Sequence, residues 1–446
     1  MPPQIALLLC IIFILFLFRI DYKRKSNISI ALWIPLIWMM IIGSKMVSHW
    51  LYPESSYASA DDYLEGSPLD RNVFIALIVA GLFILFKRKI NWVQILKNNG
   101  FIFFYFLYCG ISIVWSDFPF VALKRWIKDI GNLIMVLIVL TDSHPIEAVK
   151  TMIRRCAYVL IPLSIVLYKY YPSIGREYHR WSGELMVVGV TTQKNSLGVL
   201  CMVCGLYFLW SLFVILLKRN TSINKKEVFI HILLLVMILW LLKMANSATS
   251  LMCFITGVCI LGVTRLPSVR KNVKHFGVYI LCALFLFIIL QYSLDLVAII
   301  IQNLERDVTL TGRTDLWKEL FAMGTNPLIG TGYDSFWLGH RMVQLWERWG
   351  WHPTEAHNGY IETYLELGLI GVFLLVGLII VAYRKIKREL ISDFEFGRFQ
   401  LMFLILSLLY NYTESSFKGL QLMWFIFLLN AVKCKFFGGG SHHRSS

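Results

Sequence analysis

Residues 195–217, NSLGVLCMVCGLYFLWSLFVILL, decide the fold class. They carry no charged side chain and are bounded by Lys194 on one side and Lys218-Arg219 on the other. An α-helix needs about 20 apolar residues to cross the hydrocarbon core of a bilayer, and inside the bilayer a lone segment satisfies its own backbone only as a helix. Runs of the same kind recur at 4–20, 28–46, 72–87, 100–116, 129–141, 152–171, 228–244, 250–264, 275–292, 359–383, 398–413 and 419–433. That makes 13 candidate spans, of which the fifth is short and could start near Lys124. The expected fold is an all-α polytopic membrane protein of about 12–14 transmembrane helices.

Composition agrees. Of 446 residues, 57% are hydrophobic and 16% charged, and the mean hydropathy is +0.64. A soluble domain is about a quarter charged, so lipid has to be the solvent for most of this chain. The net charge of +16 does not indicate nucleic acid. Its basic residues stand in short clusters between apolar runs, as in Lys87-Arg88-Lys89 and Arg384-Lys385-Ile386-Lys387-Arg388. No soluble module is long enough to present a basic face. The nine cysteines fall in or beside apolar runs or in the tail, which implies no disulfide framework. The first 20 residues lack the basic start and cleavage site of a signal peptide and read as a first span.

Alternate loops differ in lysine and arginine content. Loops 21–27, 88–99, 142–155, 218–227, 265–274 and 384–398 are short and basic. Loops 47–71, 117–128, 172–194, 245–249, 293–358 and 414–418 are sparser, and the first holds Asp61-Asp62-Tyr63-Leu64-Glu65. The positive-inside rule puts the first set in the cytoplasm, with the amino terminus outside and the carboxyl terminus inside. The chain then divides into helices 1–110, helices with basic outer loops 111–292, a large outer (periplasmic) loop 293–358 between the tenth and eleventh spans, helices 359–433, and a flexible tail 434–446. Span centres carry almost no charge, unlike ion-coupled carriers. Chemistry is therefore expected at the outer surface.

Three outer loops hold residues suited to it. Lys124, Arg125 and Lys128 oppose the charge bias, which a bound anion or snorkelling to headgroups would explain. Arg176, His179 and Arg180 precede Lys194-Asn195 at a helix start, a position that favours anions. In the long loop, Thr311-Gly312-Arg313 opens a short helix with Leu316, Trp317, Leu320 and Phe321 on one side, expected to lie on the bilayer or the bundle. Asn326-Pro327 stops it, and Gly330-Thr331-Gly332 makes a tight turn. Trp337, Trp346, Trp349 and Trp351 could stack on sugars, and an interfacial belt is the plainer reading. His352 and His357 are five apart, which suits no known zinc spacing. Asn358, Glu362 and Glu366 share one face of the next helix.

Together these motifs resemble the bacterial O-antigen ligases and Wzy-type polysaccharide polymerases. The resemblance rests on His357-Asn358 followed by Gly368-x-x-Gly371, and on Gly312-Arg313-x-x-x-Trp317. It rests further on Asn326-Pro327-x-x-Gly330-x-Gly332-x-x-x-Phe336 and on Arg180-Trp-Ser-Gly183 before Lys194-Asn195-x-Leu-Gly198. Trp115-Ser116-Asp117, Leu123-Lys124-Arg125 and Lys128-Asp129-x-Gly131-Asn132 look most like the exopolysaccharide-polymerase branch. The resemblance spans roughly 110–430. It implies a GT-C-like helical fold and a glycosyltransferase, without metal, cofactor or nucleotide sugar, that uses undecaprenyl-diphosphate-linked oligosaccharides at the outer face of the bacterial inner membrane. A flippase and a chain-length regulator are the partners it suggests, besides membrane lipid.

The expected reaction displaces a lipid diphosphate from an anomeric carbon with inversion. Arg180 and Arg313, with Arg125 and Lys194, would bind the diphosphate, because arginine grips phosphate oxygens and stays charged. His357 would accept a proton from, or only orient, the attacking hydroxyl. Asn358, Asn195, Glu362 and Glu414 would support it, although capping a helix end is the plainer role for each glutamate. A ligase that transfers glycan to lipid A–core is the second reading. A lipid-linked oligosaccharide transporter is a third, of a different class.

Overall fold

The structure is a computed structural model, which describes residues 1–23, 27–52, 66–178, 183–217, 224–271 and 313–434. The tenth expected span, the acidic stretch 61–65, Arg180 and the tail from 435 lie outside the described residues, as does the first part of the long loop, 293–312.

The protein is an all-α polytopic membrane protein. In chain order the helices are α1 (Pro3–Tyr22), α2 (Trp33–Ile42), α3 (Val47–Leu51), α4 (Pro68–Lys87), α5 (Trp92–Asn98), α6 (Gly100–Ile111), α7 (Pro119–Leu140), α8 (Pro145–Tyr170) and α9 (Pro172–Gly175). They continue as α10 (Lys194–Leu217), α11 (Lys225–Ala245), α12 (Ala248–Val263), α13 (Pro267–Lys271), α14 (Arg313–Ala322), α15 (His340–Arg348), α16 (Gly359–Ser392), α17 (Phe394–Thr413) and α18 (Leu422–Ala431). Among the described residues, six helices are long and apolar enough to cross a membrane. A seventh span results if the pair 92–98 and 100–115, bent by 89°, is one. In helix α10 the residues Leu197 to Phe208 are buried without interruption.

Two expectations change. Residues 117–128 are not a loop, because α7 is helical from Pro119. Proline suits the first helical turn, and nothing from there to Leu140 breaks a helix. The charges of Lys124, Arg125 and Lys128 led the sequence reading to start this span too late. The second change is a small antiparallel hairpin, β1 (Arg176–Tyr178) with β2 (Leu185–Val187), in register Arg176 to Val187.

The long loop carries its own core. Leu316, Leu320, Phe336, Trp337, Leu345 and Ala356 pack on Leu365 of α16. The apolar face of α14 therefore faces the loop interior, whereas Phe321 stays exposed beside Tyr364.

Helix α16 is broken at Gly368, where φ is 64° and ψ −164°. The break leaves backbone groups without helical partners, and the turn 327–332 supplies them. Thr331 and Gly332 donate their N–H groups to the carbonyls of Leu365 (3.1 Å) and Glu366 (2.8 Å). Leu369 and Ile370 donate in return to Pro327 (2.9 Å) and Leu328 (3.2 Å). The two glycine motifs thus form one joint. A Cβ on Gly368 would stand 2.3 Å from the carbonyl carbon of Leu328, in a backbone region that L-residues avoid. Gly368→Ala is expected to destabilise the protein by about 2–4 kcal/mol, read as a lower unfolding temperature in detergent. An unchanged unfolding temperature would contradict the joint.

Candidate functional site

The joint fixes the two ends of the long loop's second half. At one end stands Tyr333-Asp334, at the other His357-Asn358. Tyr333 Oη donates to Asp129 Oδ2 at 2.8 Å. Asp129 also accepts from Trp424 Nε1 (2.8 Å) and Asn132 Nδ2 (3.0 Å), and Asn132 in turn holds Trp38 Nε1 (2.8 Å) and the carbonyl of Gly419 (2.7 Å). This buried polar knot ties α2, α7 and α18 to the loops on either side. It places Asp129, the first residue of the fifth expected span, midway along α7.

Asn358 caps α16, its Oδ1 accepting from the N–H groups of Tyr360 (3.0 Å) and Ile361 (3.1 Å). Its Nδ2 donates to the carbonyl of Tyr412 (3.0 Å), and its N–H to Ser415 Oγ (3.0 Å). The start of α16 is thereby pinned to the 412–415 turn, which carries Glu414.

Glu414 gathers the site. Its Oε1 accepts from Asn195 Nδ2 (2.9 Å) and Arg313 Nη2 (3.3 Å), and its Oε2 faces His357 Nδ1 at 3.3 Å. Arg313 Nη1 also donates to the carbonyl of Thr413. His357 Nδ1 lies 3.1 Å from Glu355 Oε1 as well. Burial alone would lower the imidazole pKa, but Glu355 and Glu414 override it and raise it to about 10. Glu355, which burial alone would raise, is held below the usual carboxylate range by His357. His357 is therefore an imidazolium at neutral pH. The expectation of a base with an ordinary pKa is corrected by the two carboxylates on one ring nitrogen.

A second network adjoins the first. Lys418 Nζ pairs with Glu362 (2.6 Å), Asp334 (3.2 Å) and Glu366. Burial would lower its pKa, and the three carboxylates hold it well above its ordinary value. Glu362 further accepts from Trp337 Nε1 (2.6 Å) and the N–H of Ala356 (2.8 Å). Asp334 Oδ1 also receives Arg125 Nη1 at 3.2 Å. Glu362 reaches back to the N–H of Ala356, just before α16, and Glu414 is the C-cap residue of α17. Each also answers a cation from another element.

Two cavities meet here. One, of about 520 Å³, is polar and lined by Glu355, His357, Glu414, Asn195, Trp351 and Lys418, among others. The other, of about 420 Å³, is largely apolar, with Phe74, Ile75, Ile78, Val121 and Ile127 in its wall. Four cations line it too: Arg71, Lys124, Arg125 and Lys128. Asp334, Gly419 and Leu420 belong to both. Left-handed backbone at a non-glycine residue marks local strain, and Asp334 (φ 50°), His352 (φ 51°) and His357 (φ 49°) all line the polar cavity.

Residues 232–376 match the family model described as O-Antigen ligase. A relative, the "Exopolysaccharide production protein ExoQ" of Rhizobium meliloti (strain 1021), is 26% identical over 323 residues, which cover 68% of this chain and 69% of that protein. Both matches support an assignment to the O-antigen ligase and Wzy-type family. They support a membrane protein related to polysaccharide ligases and polymerases.

The expected site residues separate into groups. His357, Glu414, Asn195 and Arg313 come together. Arg125 lines the apolar cavity instead, while Arg313 is bound to Glu414. Lys194 begins α10 beside the cavity residues Gln193 and Asn195. Glu362 joins the Lys418 network, and Arg180 is outside the described residues. The sequence reading missed Lys418, Asp334 and Glu355. A signal for Lys418 existed, since it is a lone cation in a short loop assigned to the side poor in lysine.

The donor atoms of Glu355, His357 and Glu414 lie within 4.8 Å of one another, a spacing that could hold a metal ion. Arg313 and Asn195 already engage one oxygen of Glu414. The set is balanced by the chain's own cations.

Three of the four tryptophans are engaged within the protein. Trp337 is buried on Glu362, Trp346 donates to the carbonyl of Pro353 (3.0 Å), and Trp349 donates to Glu319 (2.7 Å).

Proposed function

We propose that the chain is a metal-independent polysaccharide polymerase at the outer face of the bacterial inner membrane. It joins undecaprenyl-diphosphate-linked repeat units by inverting displacement of the lipid diphosphate. The observation that carries this reading is the pair of adjoining cavities. An apolar, cation-lined cavity suits a prenyl chain and its diphosphate, and a polar one suits sugars. Negative charge grows on the leaving diphosphate in the transition state, so Arg125, Lys124, Lys128 and Arg71 are placed to stabilise it, with Lys194 and Arg180 as further cations. Arg313, tied to Glu414, orients the carboxylate rather than the phosphate.

His357 holds the attacking hydroxyl through the ring nitrogen not engaged by Glu355 and Glu414. The hydroxyl gives its proton to a carboxylate lining the same cavity, Glu355 or Glu414, as the anomeric bond to the diphosphate breaks. The acceptor is a second lipid-linked repeat, which the exopolysaccharide relative supports. A ligase shares this chemistry but takes lipid A–core. Purified protein in liposomes with the lipid-linked repeat alone distinguishes them. A ladder of longer products is expected, and transfer occurring only when lipid A–core is added would overturn the polymerase reading.

A further inference from the structure

Trp351 differs from the other tryptophans of the long loop. Trp317, Trp337, Trp346 and Trp349 each donate their indole N–H to an acceptor within the protein. The Trp351 N–H has no hydrogen-bond partner among the described residues, and Trp351 is the one of the five that lines the polar cavity. It is 37% exposed, far more than the enclosed Trp337 at 1%. Its ring centroid is 5.8 Å from that of His357, with 34° between the planes.

The platform is braced from behind. Trp349 meets Trp351 edge to face at 6.1 Å and is itself held by Glu319, which also pairs with Arg348 (2.8 Å). The N–H of His352 donates to the carbonyl of Trp349 (2.9 Å), and the His352 ring stacks on Trp346 at 4.8 Å. The part of this ring that stays open to the polar cavity is apolar surface without a packing partner. A ligand with one apolar face and a polar edge would account for it.

We infer that Trp351 is the platform of a sugar subsite, on which the acceptor's pyranose ring stacks so that its hydroxyl reaches His357. A pyranose presents a face of C–H groups, whose slightly positive hydrogens suit the negative face of an indole. Its edge carries hydroxyls, for which the Trp351 N–H, Glu355 and Asn195 offer partners of both kinds. The carboxylates Glu355, Glu414 and Asp334 on the same cavity favour an uncharged ring over a uronate or a phosphorylated sugar.

This subsite rests on the sugar-transfer reading, and the test separates the two. Wild type, Trp351→Ala and Trp351→Phe are reconstituted in liposomes and supplied with the lipid-linked repeat, with elongation rate measured against its concentration. Trp351→Ala is expected to raise KM by about tenfold, the loss of one stacked ring, with the saturating rate less affected. Trp351→Phe, which keeps an aromatic face, recovers most of the loss. Binding of sugar-free undecaprenyl diphosphate stays unchanged in all three, since the diphosphate end lies in the other cavity. Thermal unfolding of each variant near that of the wild type excludes a folding defect, and the exposure of Trp351 predicts that result. An unchanged KM in Trp351→Ala, or equal impairment of Phe and Ala, overturns the subsite. A wild type that elongates nothing overturns the sugar-transfer reading instead.

Discussion

Lys418→Met lowers the unfolding temperature of the detergent-solubilised protein by about 5 °C or more, the largest effect expected of a substitution that keeps side-chain size. Methionine retains most of the apolar stem of lysine, so packing is nearly unchanged and the ammonium is what is lost. Three carboxylates then face one another without it. Glu362 keeps Trp337 and the N–H of Ala356, and Asp334 keeps Arg125. Glu366 keeps nothing, because Lys418 is its only side-chain partner among the described residues. Removing one member of a buried ion pair costs about 3–5 kcal/mol, most of it from the charge left behind. If that is the cause, Glu366→Gln added to Lys418→Met restores part of the loss, and the double-mutant cycle shows coupling between the two. An unfolding temperature within about 1 °C of the wild type would show that the network does not hold the loop to α16.

Glu414→Gln cuts turnover by on the order of 10²-fold while leaving the fold intact. Glutamine has the same shape, and its carbonyl oxygen can still accept from Asn195 or Arg313. It cannot balance the charge of Arg313, nor help hold His357 as an imidazolium. The loss should appear in kcat, since Glu414 lines the polar cavity and not the cation-lined one. Binding of the lipid diphosphate is therefore unchanged. The measurement is single-turnover transfer with enzyme in excess. A rate within about threefold of the wild type would remove Glu414 from the reaction centre.

How much of this the sequence revealed depends on the range of each interaction. Span 195–217 was legible because hydrophobicity is a property of the run itself, and α10 follows it closely. The start of α7 was not, because Lys124, Arg125 and Lys128 look like a loop until Phe74 and Ile127 are seen to share their cavity. Asn326-Pro327 and Gly330-x-Gly332 announced a turn, and Gly368-x-x-Gly371 a close approach. That the turn and the break in α16 complete one another's hydrogen bonds involves residues more than 30 positions apart, which no local pattern encodes. His357 and Glu414 were each singled out, but their pairing was not. The pKa of an imidazole depends on what folds against it, so its charge state could not be inferred from its neighbours in sequence. Asp334 was overlooked for the same reason, being unremarkable until Lys418 and Arg125 are brought to it.

The central claim is that the two cavities form the reaction centre of a sugar transfer. The most direct measurement is the elongation of a purified lipid-linked repeat in liposomes by wild type, His357→Ala and Arg313→Ala, each verified as folded. A ladder from the wild type, with product from each variant reduced by on the order of 10²-fold or more, is the predicted result. Full product formation by both variants would contradict it.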